Sequence, residues 1–331
     1  MLRILHGTSY DFVKPWRWAV GITIAFIAIG LIYLGVHGIN RSIEFTGGTL
    51  MQLEFTQAPN VGDIRATVDA AGYPNSEIQQ FGSAREFTVR AAGHAAPAAG
   101  QNVEVERTAR DIQAALEQKF GKSDVRVVRT EIVGPRVGDE LSRDAIVAIL
   151  ISLVVTLVYL AIRFEWRFGV AAVIATFHDL LSTMAFLAIM RLEVSLTVVA
   201  ALLTVIGYSL NDTIIIFDRV REDLKKNRTD SLYAVLNKAI NETLPRSILT
   251  HVTVAAATLS LLIFAGEVIR PFSWIMLFGI VTGTFSSIYI AGPVLLWIER
   301  KWPRPRSDRN AVRPQQSESA RSATRAPVGA R

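Results

Sequence analysis

AIVAILISLVVTLVYLAI, residues 145–162, runs 18 positions without a charged residue. A helix needs about 20 mostly apolar residues to cross the hydrocarbon core of a bilayer. This stretch therefore reads as a membrane span, and its neighbours on both sides repeat the pattern. Downstream, the turn Arg163-Phe-Glu-Trp-Arg167 leads to an apolar run over 170–190, and the turn Arg191-Leu-Glu193 to another over 194–217. A charged stretch over 218–243 follows, and two more apolar runs cover 246–265 and 272–298. Upstream lie about 100 residues of soluble character, preceded by one further run over 19–36. Trp16 and Trp18 sit where an interfacial aromatic belt belongs. The expectation is an α-helical polytopic membrane protein with six spans and one inserted soluble domain.

Composition agrees with that division. Half of the 331 residues are hydrophobic, and they collect in these runs while the charges collect between them. The chain has no cysteine, which excludes a disulfide framework and a Cys-ligated metal or cluster. The net charge of +6 falls mostly in loops and in the C-terminal stretch, so it reports membrane orientation rather than nucleic-acid binding. Residues 2–18 are polar and aromatic, and no small-residue cleavage site follows the first run, which argues against a cleavable signal peptide. From Lys301 onward the chain is rich in Pro, Arg and Ser, which predicts a disordered basic tail. The predicted division is an N-terminus and first span (1–38), the inserted domain (39–143), the other spans (144–300) and the tail (301–331).

Lys and Arg gather on the cytoplasmic side of membrane proteins. Arg163 and Arg167 share a side with Arg219, Arg221, Lys225, Lys226, Arg228, Lys238 and the tail. The opposite turns offer only Arg191 and Arg270, each close to a glutamate. Both termini are therefore expected inside and the domain outside. Within the domain, Thr49-Leu-Met-Gln-Leu-Glu-Phe55 alternates as a strand does. Residues 61–71 read as a helix closed by Gly72, and 77–81 and 86–90 as short strands parted by Gly82-Ser83. After an Ala-, Gly- and Pro-rich loop (91–100), residues 103–120 form a helix with Ile112, Leu116 and Phe120 on one face and Gly121 as its stop. Val125 to Val133 is a last strand. The order β-α-β-β-α-β predicts a ferredoxin-like α+β unit. It holds no phosphate loop, metal spacing or nucleophile–base pair, so it reads as a binding or moving module.

Ionisable groups inside spans cost several kcal/mol unless paired or wetted, which makes each a functional candidate. The fourth span carries Gly207-Tyr-Ser-Leu-Asn-Asp-Thr213. Asp212 lies about six residues from the cytoplasmic end, roughly 9 Å deep at 1.5 Å per residue. Tyr208 is one turn away and Asn211 is adjacent. Such a carboxylate takes a proton when its surroundings dry and gives it up when a cation nears. The natural cation is Arg246 at the start of the fifth span, with Thr250, Thr253 and Ala257 continuing a face expected toward the bundle interior. The competing readings are a permanently paired carboxylate and an arginine that only snorkels. His178-Asp179 lies near the middle of the third span, and neighbours about 100° apart are expected to need different partners. Metal binding there lacks a third ligand, and His251 reads as structural. In the sixth span Gly279-Ile-Val-Thr-Gly283, continued by Ser286-Ser287, is a small-residue stripe for close helix packing.

Phe45-Thr-Gly-Gly-Thr49, Val133-Gly-Pro-Arg-Val-Gly138, Val205-Ile-Gly-Tyr-Ser-Leu-Asn-Asp-Thr213, Phe217-Asp-Arg-Val-Arg-Glu222 and Ser286-Ser-Ile-Tyr289 together resemble the SecF family. Its members are membrane subunits of the SecD–SecF accessory complex of bacterial protein export, in the resistance–nodulation–division superfamily. The similarity runs from residue 1 to about 300 and omits the tail. It implies a six-helix half that joins a SecD half in the inner membrane, with the soluble domain periplasmic. It also implies work beside the SecYEG channel on a translocating preprotein, driven by protons as coupling ion, with no cofactor, no metal and no enzymatic reaction. The family's proton pathway falls on Asp212 and Arg246. The reading of the spans adds Tyr208, Asn211, His178, Asp179 and Thr250 as supporting polar groups, and helix packing at Gly279, Gly283 and Ser287. Two other readings remain: a proton-coupled small-molecule transporter acting alone or as a homodimer, and a passive assembly scaffold. Neither reading involves nucleic acid, and both share the lipid bilayer.

Overall fold

The computed structural model describes residues 10–91, 101–226 and 230–303, without the side chains of 101–106, 135 and 161. The expected loop from 92 to 100 and the expected tail beyond 303 lie outside these residues. The chain starts with α1 (Trp16–His37), the short α2 (Ile43–Thr46) and β1 (Gly48–Phe55). Next come α3 (Val61–Ala70), β2 (Glu77–Gln80), β3 (Glu86–Ala91), α4 (Gln101–Phe120) and β4 (Val125–Val133). The bundle is completed by α5 (Pro135–Arg163), α6 (Trp166–Ile189), α7 (Leu196–Lys226), α8 (Leu232–Phe264), α9 (Arg270–Ser286), a π turn (Ser287–Ala291) and α10 (Gly292–Lys301). Among the described residues, 6 helical stretches are long and apolar enough to cross a membrane. The protein is thus mostly helical, with a polytopic membrane architecture and one small antiparallel sheet.

The strands lie in the order β2-β3-β1-β4, and every pairing is antiparallel. Alternation in β1 turns Met51, Leu53 and Phe55 inward, where α3 and α4 cover them with Ile64, Val68, Ile112 and Leu116. Asn60 caps α3 by accepting from the Gly62 amide at 2.8 Å. Gly72, at φ 97, supplies the left-handed residue that stops that helix. Pairing slips between Gln52 and Leu53, which leaves Val128 of β4 as the extra residue of a bulge.

Three features of the bundle depart from the expected spans. Helix α5 begins at Pro135, ten residues ahead of its apolar run, because proline at the first position needs no amide partner. Helix α8 begins at Leu232, capped by Ser231, and passes through Pro245. The fifth span therefore does not start afresh at Arg246. The sixth span is interrupted by the π turn at Ser287–Ala291. A lipid environment offers helices no hydrophobic drive to associate, so contact between them depends on close packing and hydrogen bonds. Phe168 and Phe217 meet edge to face at 5.3 Å in the main core. A Cβ at Gly30 of α1 would fall 2.3 Å from that of Ala185 in α6. The apolar window of α5, in contrast, is 0 % buried, which leaves that helix facing outward.

The domain is tied to the bundle at one junction. Arg41 and Val194 form a parallel β-bridge. Ser42 N donates to Val194 O at 2.8 Å, and Val194 N donates to Asn40 O at 2.7 Å. Leu196 N donates to a carboxylate oxygen of Glu44 at 2.6 Å. The turn between α6 and α7 is thereby fastened to the connector between α1 and β1. At the other end of the bundle Arg163 pairs with Asp218, Arg167 with Glu299 and Arg219 with Glu242.

Candidate functional site

Helix α7 directs Ser209, Asp212, Thr213 and Ile216 into the bundle through its 3.6-residue period. Asp212 is 3 % exposed. Ser247 Oγ donates to its Oδ1 at 3.1 Å, and His251 Nε2 lies 2.9 Å from its Oδ2. His251 is buried, its Nδ1 is 2.6 Å from Thr284 Oγ1, and its ring stands 5.3 Å from that of Tyr208. A small space of about 10 Å³ is lined by Asp212, Thr243, Ser247, Thr284 and Ser287, close to the smallest that admits a water.

The expected partnership of Asp212 with Arg246 is not formed. Arg246 is exposed and makes no ion pair among the described residues, and Thr250, Thr253 and Ala257 are exposed with it. The buried face of α8 is instead Thr243, Ser247, His251 and Thr258. One residue of helical phase, about 100°, separates the two faces. The spacing of Thr243, Ser247 and His251 by fours is the signal that could have found the inner one. His251, read from sequence as structural, is therefore the imidazole at the carboxylate. Asn211 is exposed on α7 and makes no hydrogen bond among the described residues. The Tyr208 hydroxyl is buried without a protein partner.

A second buried carboxylate, Asp179 of α6, meets α7 at Ser209. Asp179 is 1 % exposed. Its Oδ2 accepts from Ser286 Oγ at 2.6 Å and from Ser209 Oγ, and its Oδ1 lies 3.1 Å from His178 Nδ1. The adjacent pair thus bonds to itself, contrary to the expectation of separate partners, because a carboxylate has two oxygens and can satisfy a neighbour with one of them. Ser287 meets Thr213 Oγ1 at 3.0 Å. The consecutive serines reach different targets where the π turn begins, and π turns often mark functional sites. Close approach makes this wiring possible: a Cβ at Gly279 would lie 2.3 Å from Val205, and one at Gly283 would lie 3.0 Å from Ser209. Among the described residues no group of three or more His, Asp or Glu side chains could hold a metal ion.

The junction is the other polar concentration. Arg90 of β3 donates to Glu77 and to Arg41 O, both at 3.1 Å, and pairs with Glu193 of the α6–α7 turn. The cleft there, about 270 Å³, is also lined by Glu44, Glu131 and Glu267. Burial pushes the Glu193 carboxyl above the ordinary glutamate range, and the attraction of Arg90 offsets only part of that.

Comparison with known proteins agrees with this architecture. Residues 112–301 match the family described as protein export membrane protein SecD/SecF, C-terminal, and residues 32–59 match the SecD/SecF GG motif. The protein translocase subunit SecF of Gemmatimonas aurantiaca is 59% identical over 92% of this chain and 91% of its own length. That of Desulfurispirillum indicum is 40% identical over 92% of this chain and 96% of its own. The crystal structure of SecDF, a translocon-associated membrane protein from Thermus thermophilus, superposes with a TM-score of 0.78 at 32% identity. That match covers 89% of this chain and only 39% of the SecDF chain, so this chain spans about two fifths of it. The protein belongs to the SecD/SecF family of protein-export membrane proteins, on its SecF branch.

Proposed function

We propose that the chain is the SecF half of a proton-driven accessory motor for polypeptide export. It pairs with a SecD half in the bacterial inner membrane and works beside the SecYEG channel on preprotein emerging at the periplasmic side. Both termini are cytoplasmic and the sheet domain, of ferredoxin-like type, is periplasmic. The strand order β2-β3-β1-β4 supports the domain type, and the Lys and Arg distribution supports the orientation.

One observation carries the mechanism: Asp212 is buried against a hydroxyl and an imidazole rather than a permanent cation. Charging or neutralising it changes the attraction between α7 and α8, and a change in attraction biases a two-state arrangement of helices. The motion reaches the domain through the α6–α7 turn, whose backbone is bonded to the connector before β1. The exposed stripe of Arg246, Thr250, Thr253 and Ala257 is assigned to contact with the SecD half, where Arg246 approaches the proton path from outside this bundle.

The test is Asp212→Asn in the reconstituted complex, which keeps the shape and removes the charge. Gradient-stimulated export should fall to the level measured without a gradient, while complex assembly is retained. Export that still responds to the gradient would exclude Asp212 as the coupling group.

A further inference from the structure

Both ring nitrogens of His251 have polar partners, Thr284 at Nδ1 and Asp212 at Nε2. A threonine hydroxyl carries one proton. That of Thr284 has two acceptors in reach, Ile280 O at 2.8 Å and His251 Nδ1 at 2.6 Å. When the threonine proton goes to Ile280 O, the contact between Thr284 Oγ1 and His251 Nδ1 takes its proton from the ring. On the opposite edge, Nε2 faces the Asp212 carboxylate, which when ionised only accepts. With the threonine proton on Ile280 O and Asp212 ionised, both ring nitrogens donate, and an imidazole with two N–H groups is the cation.

The polar groups that face the ring among the described residues come from three helices. From α7 the ring meets Asp212 and Tyr208, and from α9 it meets Thr284. On its own helix Ser247 bonds the same carboxylate, and Arg246 points to the outer face. No Lys or Arg among the described residues pairs with Asp212. His251 and Thr284 also border an open groove between α8 and α9 that Asp212 does not line.

Resting on the proton-driven reading above, we infer that His251 is the proton-exchanging partner of Asp212. In the resting pair the imidazolium supplies the counter-charge. Transfer breaks the Nε2–H bond and forms Oδ2–H, which leaves a neutral ring beside a neutral acid with no change in total charge. Uptake of one further proton from water gives an imidazolium beside a carboxylic acid. The ion pair is then lost, and with it the electrostatic tie between α7 and α8.

The experiment compares native chain, His251→Gln, His251→Ala and Asp212→Asn in proteoliposomes holding the full complex, with gradient-driven export measured between about pH 6 and 8, the window in which an imidazole can change charge. Glutamine keeps a donor for Asp212 but cannot ionise. The expected result is a rate at least about 10-fold lower and a flattened pH profile for both His251 variants, in line with the loss of a proton-transfer group. A purely structural His251 would leave the Gln variant with the native profile, and that outcome overturns the inference. If Asp212→Asn keeps its response to the gradient, the proton-driven reading itself falls. If Asp212→Asn loses the response while His251→Gln is unchanged, only the role of His251 falls. Should neither His251 variant fold, nitrogen-15 NMR of the native protein decides. Two protonated ring nitrogens at neutral pH support the assignment, and a singly protonated ring overturns it.

Discussion

Asp179 in the bundle and Arg90 at the junction each hold three partners, but the partners differ in kind. Asp179 takes two serine hydroxyls and a histidine, and the residue is 1 % exposed. Arg90 takes two glutamates and a carbonyl with its side chain 18% exposed. Inside the bilayer, a second full charge brings its own desolvation cost, and neutral donors satisfy a carboxylate without it. At the wet edge of the membrane opposite charges can pair at modest cost and modest gain. Asp179 is thus held by two hydroxyls and an imidazole, the junction by charges that attract.

The largest expected effect breaks the first kind of wiring. Asp179→Ala leaves Ser209, Ser286 and His178 without their acceptor, and should lower stability by about 3 kcal/mol. Unfolding in detergent measures it, with Asp179→Asn closer to native because a carbonyl oxygen still accepts. A loss below about 1 kcal/mol, the ordinary net worth of one hydrogen bond, would mean that the bundle does not depend on this network.

Next in size is a test of packing against wiring. Gly279→Ala puts a methyl into the space held by Val205 and should cost about 1–3 kcal/mol. Shortening the neighbour as well, in Gly279→Ala with Val205→Ala, should recover most of it. If the double variant stays as unstable as the single one, the close approach of α7 and α9 serves something other than fit.

The smallest effect sharpens the junction. The Glu193 carboxyl is raised by burial, so its protonated form is favoured in the docked arrangement. Docking is then strongest below the ordinary glutamate value of about 4.3 and weakens as pH rises through the raised one. Amide exchange at residues 40–44 and 194–196 should quicken across that window beyond the intrinsic pH effect in the native chain. Glu193→Gln, which cannot ionise, should remove the extra dependence.

Much of this was legible in the residues themselves. Uninterrupted apolar length marks the spans, since nothing else explains residues 145–162, and alternation with turn residues marks each strand of the domain. Asp212 declared itself by being a carboxylate in such a run. Its partner did not, because two polar stripes run along α8 and differ by one residue of phase. Arg246 carries the stronger charge, but Ser247 and His251 lie on the side that the neighbouring helices cover. Helix α2, four residues long, is too short to leave a period. Passage of α8 through Pro245 was hidden for another reason: proline reads as a boundary, and only packing around the helix carries it through.

The chain leaves the bundle for the domain and returns to it at nearly the same point. A Cβ at Gly138, in the first turn of α5, would lie 2.9 Å from Gly47 N, and Ser142 Oγ donates to Phe45 O at 3.4 Å. A rigid body fastened by two adjacent anchors can swing but cannot slide away. The domain is in effect a lever with its pivot at the membrane surface, and the β-bridge at Arg41 and Val194 is where a push on the short side would be applied. A small displacement of the α6–α7 turn would be magnified at the far end of the sheet.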